Sequence, residues 1–219
     1  MLAKTILRFL FIFSLVYAVL IIPQTNLGKT YAKFIRSEGT ALFGSFGNKG
    51  IVRFEANLEK KNKWEYRNKL FLLNRQHLEK AQKSGSEYQM AKVYSSWYYN
   101  YLFVALLIAL IAATPMTMKR KMWAILVGLL LIHVYINFGL FIMLVFKFNS
   151  HPYLEVVNLS NFWEGVIDFI YPIVMVNPGT GIFISVIIWL VVSFRKNDLA
   201  DLVNKITLPE TKREISQEG

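Results

Sequence analysis

The chain contains three histidines, His77, His133 and His151, and no cysteine. A metal or acid–base site needs several donors converging, and the histidine spacing matches no recognised ligand set. Without a thiol there is no disulfide, no thiolate zinc site, no iron–sulfur cluster and no cysteine nucleophile. His133 lies inside a long apolar run, where an ionisable residue is a functional hypothesis by default. The plainer reading is a neutral ring hydrogen-bonded to a neighbouring helix, with Asn137 one turn on. His151 reads as an exposed loop residue.

Three further groups invite chemistry. Glu164 and Asp168 are four apart and so share a helix face, where they could meet a cation or a basic partner, or simply keep that face wet. Arg53 and Arg75 offer planar guanidinium groups able to grip a carboxylate, a phospholipid headgroup or a substrate terminus; surface charge is the plainer reading. Asn177, Pro178, Gly179, Thr180 and Gly181 would break a helix and free its carbonyls, which is tolerated near a bilayer only under cover of protein or water. Discontinuous helices build ion sites in transporters, but those come with repeats and more spans, so a structural kink is favoured here. No nucleotide-binding loop, Gly-x-Ser-x-Gly elbow, His-Glu-x-x-His helix or internal repeat is present. No enzyme activity, cofactor or metal is therefore expected.

The elements that must carry these residues are membrane elements. Of 219 residues, 54% are hydrophobic, and they fall into long uncharged runs while the 25 Lys and Arg and 14 Asp and Glu lie mostly between them. Crossing about 30 Å of hydrocarbon takes roughly 20 apolar residues in a helix. The reading is a membrane α-helical protein with four transmembrane helices and a small extracytoplasmic α+β domain, an antiparallel sheet, between helices 1 and 2. Residues 1–22 form a signal anchor, left uncleaved because bulky Val19 to Ile22 precede Pro23. Spans follow at about 98–115, 122–146 and 172–194, with the aromatic cluster Trp97, Tyr98 and Tyr99 marking entry into the bilayer. An interfacial helix over 161–171 carries Trp163, Glu164 and Asp168, and Pro178 kinks or unwinds the last span near its outer end. Residues 195–219 form a polar cytoplasmic tail.

Short loops set the orientation, because Lys and Arg there resist translocation. Lys119, Arg120 and Lys121 stand between spans two and three with no acid, whereas residues 149–160 hold no Lys or Arg. Lys4 and Arg8, and Arg195 and Lys196, agree. Both termini should lie in the cytoplasm, with residues 23–97 outside. That segment has 14 Lys and Arg against 6 Glu, a net +8, but loops longer than roughly 60 residues cross largely regardless of charge.

Within residues 23–97, Leu27, Tyr31 and Phe34 recur at helical spacing, predicting an amphipathic helix over about 26–37 near the headgroups. After Gly39 the period changes. Residues 41–46 and 51–57 read as a hairpin about the turn Gly47, Asn48, Lys49 and Gly50, with Val52, Phe54 and Ala56 on one face. Residues 64–74 and 88–97 read as a third and fourth strand, and 76–86 as a loop or short helix. The sheet should rest one face on the amphipathic helix or the membrane.

Gly50 to Phe54 after a turn, then Asn74 and Arg75, then Ala113-Thr114-Pro115 before Lys119-Arg120-Lys121-Met122-Trp123-Ala124, resembles the bacterial exosortase-associated membrane proteins, of the exosortase H and exosortase X type. Asn161-Phe162-Trp163 and the run from Trp189 to Arg195 add to the likeness, which covers most of the chain. The resemblance implies an inner-membrane protein working beside an exosortase, a polytopic enzyme that processes the carboxy-terminal sorting helix of exported proteins through a cysteine nucleophile. This chain has no cysteine, and the family supplies no catalytic residues to carry over.

The expectation is a non-enzymatic accessory subunit that meets membrane lipids and holds an integral membrane partner, an exosortase or its substrate, at the outer interface. Arg53, Arg75, Trp163, Glu164 and Asp168 are its candidate contacts. A homo-oligomeric channel or transport component using His133 and the broken last span is one alternative. A sensor with its basic domain in the cytoplasm is another; nucleic acid, which would require that sidedness, is not expected as a partner.

Overall fold

The computed structural model describes residues 2–22, 27–56 and 67–194, with no side-chain detail for 2, 3, 67 and 94–99. It is mostly helical, with one small antiparallel sheet of four strands.

Helix α1 (Leu2–Ile21) is apolar beyond Lys4 and Arg8. Helix α2 (Leu27–Phe43) buries Ala32, Ile35 and Gly39 on one stripe and exposes Lys29 and Lys33. It runs past the expected end at 37, straight through Gly39. A glycine inside a helix costs about 1 kcal/mol of propensity, but here it lets the helix approach the sheet: a Cβ on Gly39 would lie 2.7 Å from the Phe54 ring. Residues 41–43 complete the last turn of α2, so the first strand shrinks to β1 (Ser45–Phe46).

Strands β2 (Gly50–Ala56), β3 (Arg67–Asn74) and β4 (Ala91–Ser96) complete a meander in the order β1-β2-β3-β4. The register sets Val52 opposite Leu72 and Leu72 opposite Ala91, then Phe54 opposite Leu70 and Leu70 opposite Val93. That face meets α2, as the alternation in β2 predicted. Residues 76–86 contain helix α3 (Arg75–Ser84) rather than a loop, and β4 passes into α4 (Trp97–Ala113) with no residue between. The sheet is thus joined to the apolar helices without a linker. The expected strand residues 57 and 64–66 lie outside the described residues, as does the tail 195–219.

Helix α5 (Met118–Asn149) has 32 residues and overruns the expected span at both ends. At 1.5 Å per residue it rises about 48 Å, well beyond a 30 Å hydrocarbon layer. Its second half is apolar because it is buried in protein: the Phe46 ring stacks on Phe148 at 5.2 Å, and Leu140, Leu144 and Phe148 are fully buried. On its other side lies α6 (Asn161–Tyr171), which runs antiparallel to it. Asn149 bonds Glu164, the Phe146 ring stacks on Tyr171 at 4.1 Å, and Gly139 lies against Val174 and Met175.

A π turn (Pro172–Val176) prolongs α6, and the chain then bends by 75° into α7 (Pro178–Ser193). The break falls at Asn177, so residues 172–176 belong with α6 and not with the last helix. Pro178, lacking an N–H, suits the first helical position, and the Asn177 side chain caps the new helix by accepting from Gly179 N at 2.9 Å.

Helices α1, α4, α7 and the first half of α5 lie side by side, and the buried apolar residues form one cluster from the sheet to α7. At one end Tyr101 Oη donates to the Leu20 carbonyl; at the other Lys121 Nζ donates to Ala112 O and Arg120 Nη2 to Ser193 O. Among the described residues two helices, α1 and α5, are long and apolar enough to cross a membrane, and the bent α6–α7 pair makes a third if it is one span. Helix α4 is shorter.

Candidate functional site

Helix α2 presents Tyr31, Ile35 and Glu38 along one stripe at offsets of four and three. That stripe lands on α5 where His133 and Asn137 stand one turn apart. Asn137 Nδ2 donates to Glu38 Oε1 at 2.9 Å across 99 residues of sequence. The His133 ring packs on Tyr31, centroids 5.9 Å apart, and edge-on to Phe34 at 5.4 Å. The structure therefore brings His133 and Asn137 together, and adds a carboxyl and a phenol from α2.

His133 Nδ1 lies 2.8 Å from the Leu129 carbonyl, which can only accept, so Nδ1 carries the hydrogen and Nε2 is the acceptor of the neutral ring. Nε2, Glu38 Oε2 and Tyr31 Oη are all buried without a hydrogen-bond partner among the described residues. Burial, reinforced by the nearby Glu38 carboxyl, holds the Tyr31 phenol well above its usual range. Chemically this is a polar clamp between an amphipathic helix and the long helix. Among the described residues no group of three or more His, Asp or Glu is placed to hold a metal ion.

The other expected residues are dispersed. Arg53 is exposed on β2 opposite Phe71, on the sheet face away from α2. Arg75 begins α3, donates from Nη2 to Ser45 Oγ at 2.8 Å, and through its backbone N–H to the Lys49 carbonyl, so it braces the hairpin end of the sheet. On α6, Trp163 is exposed and edge-on to Phe162, Glu164 accepts from Asn149 at 3.0 Å, and Asp168 is exposed. Asn177 and Pro178 start α7 beside exposed Gly179. Gly181 is buried against Phe103 of α4, where a Cβ would collide with the ring. His151 is half-buried, its Nδ1 bonded to Lys147 O at 2.7 Å; His77 faces Glu155 at 3.7 Å.

Sequence reasoning placed Tyr31 on a helix face and passed over Glu38 and Asn74. Glu38 carried a signal: it is the one acid in the stripe that continues Tyr31 and Ile35. Asn74, 1% exposed, caps α3 by accepting from Gln76 N and His77 N, and donates to the Leu154 carbonyl, 80 residues away.

No family model, curated protein or solved structure matches this chain.

Proposed function

We propose that this protein is a non-enzymatic integral membrane accessory subunit that holds a membrane partner or its substrate at the outer surface of the bacterial inner membrane. The observation that carries the reading is that the sheet lobe is tied to the helices at several separate points. The Phe46–Phe148 stack, the Glu38–Asn137 bond and the Asn74–Leu154 bond all tie the sheet lobe to α5 or to the segment that follows it. A platform of this kind keeps a presented surface at a fixed height above the bilayer.

The reading takes α1, α4, α5 and α7 as four spans with α6 at the outer interface; among the described residues α1 and α5 are by themselves long and apolar enough to cross. Helices α1, α4, α7 and the first half of α5 run side by side, with Lys4, Arg8, Lys119, Arg120 and Lys121 gathered at the end that short-loop charge assigns to the cytoplasm. Both termini are then cytoplasmic and the sheet lobe outside. The candidate presenting surface is α6, where Phe162 and Phe169 are 71% and 70% exposed beside Trp163 and Asp168, together with Arg53 on the sheet. The resemblance to exosortase-associated proteins supplies the partner class: an exosortase or the sorting helix it processes.

Alkaline phosphatase fused at Gly85, in the exposed turn after α3, should be active; an inactive fusion overturns the sidedness. A photo-crosslinking residue at Trp163 or Arg53 should then give a discrete adduct with an exosortase-type membrane protein or its substrate, and recovery of the chain only as an unlinked monomer overturns the accessory role. The 75° break at Asn177 favours one second reading, a homo-oligomeric transport component, which predicts ion flux in liposomes carrying the pure protein.

A further inference from the structure

A cavity of about 670 Å³ lies at the basic end of the helix packet, between the start of α1 and the α4–α5 turn. Three cations line it, Lys4, Arg8 and Lys121, and no acidic side chain does. Their mutual repulsion is relieved most simply by an anion between them. Lys121 is held at the rim, because its Nζ donates to the Ala112 carbonyl at 2.5 Å. Its neighbours in the basic run point elsewhere: Arg120 reaches Ser193 O at 2.7 Å and Lys119 is exposed. The fold thus selects one cation from a run of three for this cavity.

Beyond the charges the lining turns apolar, through Phe9, Ile12 and Met116. A small inorganic anion would satisfy the cations and leave that surface uncovered. An amphiphile with a phosphate head and acyl chains matches both parts, and the cavity is far larger than one phosphate needs. We infer that this cavity binds the phosphate headgroup of an anionic membrane phospholipid, with its chains lying along α1 and α4; the inference rests on the membrane reading above.

The test uses the full-length protein purified in mild detergent, exposed to equal amounts of phosphatidylglycerol and phosphatidylcholine, and read by native mass spectrometry. The expected result is preferential retention of phosphatidylglycerol. Arg8→Gln and Lys121→Gln should each weaken that preference by about fivefold. Lys119→Gln removes the same charge outside the cavity and should leave it unchanged. Because Lys121 also bonds the end of α4, Arg8→Gln is the variant free of that complication, and thermal midpoints report whether either variant is misfolded.

Excess inorganic phosphate or glycerol phosphate should not displace the lipid; displacement would make the occupant a soluble phosphate compound and overturn the lipid assignment. Equal retention of the two lipids, or a preference that survives in Arg8→Gln/Lys121→Gln, overturns the site altogether. An alkaline carbonate wash of native membranes separates this inference from its premise. Protein that stays in the pellet yet shows no lipid preference defeats only the site, whereas release into the supernatant defeats the membrane reading.

Discussion

Asn74 donates from Nδ2 to the Leu154 carbonyl at 2.7 Å, while its Oδ1 accepts from the backbone of Gln76 at 2.8 Å. One buried amide therefore does two jobs: it starts α3 and pins the segment after α5 to the sheet. The neighbouring His77–Glu155 contact, at 3.7 Å with Glu155 largely exposed, contributes little by comparison.

Asn74→Ala removes the cap, worth about 1 kcal/mol, and strands a buried carbonyl, worth about 1–3 kcal/mol. A loss of about 2–4 kcal/mol is expected. Asn74→Ser keeps a cap acceptor but loses the donor to Leu154, and should fall between wild type and alanine. Unfolding midpoints of the purified proteins decide it; equal midpoints for Ser and Ala variants would remove the capping half of the argument.

Gly181 brings α7 close against Phe103 of α4, and the Ser185 hydroxyl lies between the Gly181 carbonyl at 2.8 Å and the Phe103 carbonyl at 3.2 Å. Gly181→Ala should cost about 1–3 kcal/mol by overpacking. Adding Phe103→Leu should recover part of the loss, although that change alone destabilises. A double-mutant cycle with no coupling between the two positions would show that the clash is absorbed elsewhere.

Local chemistry made some of this structure legible and left the rest hidden. The start of α6 at Asn161, the Gly47 to Lys49 turn and the inward face of β2 each follow from residues within a few positions of one another. Gly39 misled, since its low helix propensity argues for a stop, and only the distant Phe54 explains why the helix continues through it. The apolar second half of α5 has the composition of a lipid-facing helix, but Phe46, Phe148 and Tyr171 show that protein covers it. Hydropathy alone does not distinguish lipid from protein as the apolar neighbour. The bonds Asn137–Glu38 and Asn74–Leu154 join positions 99 and 80 residues apart, and nothing local announces either.

Glu38 and Asn137 form a half-buried polar pair, so removing one partner should hurt more than removing both. Asn137→Leu leaves a carboxyl oxygen without its donor and should cost about 1–3 kcal/mol. Glu38→Met combined with Asn137→Leu replaces the pair by apolar groups and should recover most of that loss. Additive destabilisation in the double variant would mean that the bond contributes nothing of its own.

Tyr31 gives the pH-dependent case. Its phenol pKa is raised in the folded protein, by burial first and by Glu38 second, above the value near 10 of an exposed tyrosine. The folded state therefore holds this proton more tightly than the unfolded state does. The associated stability is complete below pH 10 and is lost as the pH climbs beyond it, at up to about 1.4 kcal/mol per pH unit. Tyr31→Phe removes that term and also removes a buried hydroxyl with no partner among the described residues, so it should be neutral or stabilising by up to about 1 kcal/mol at pH 7. The informative quantity is the difference between wild type and Tyr31→Phe across pH 8 to about 11.5. That difference should widen in favour of the variant only above pH 10; a constant gap would mean that the phenol ionises in the folded protein as readily as it does in water.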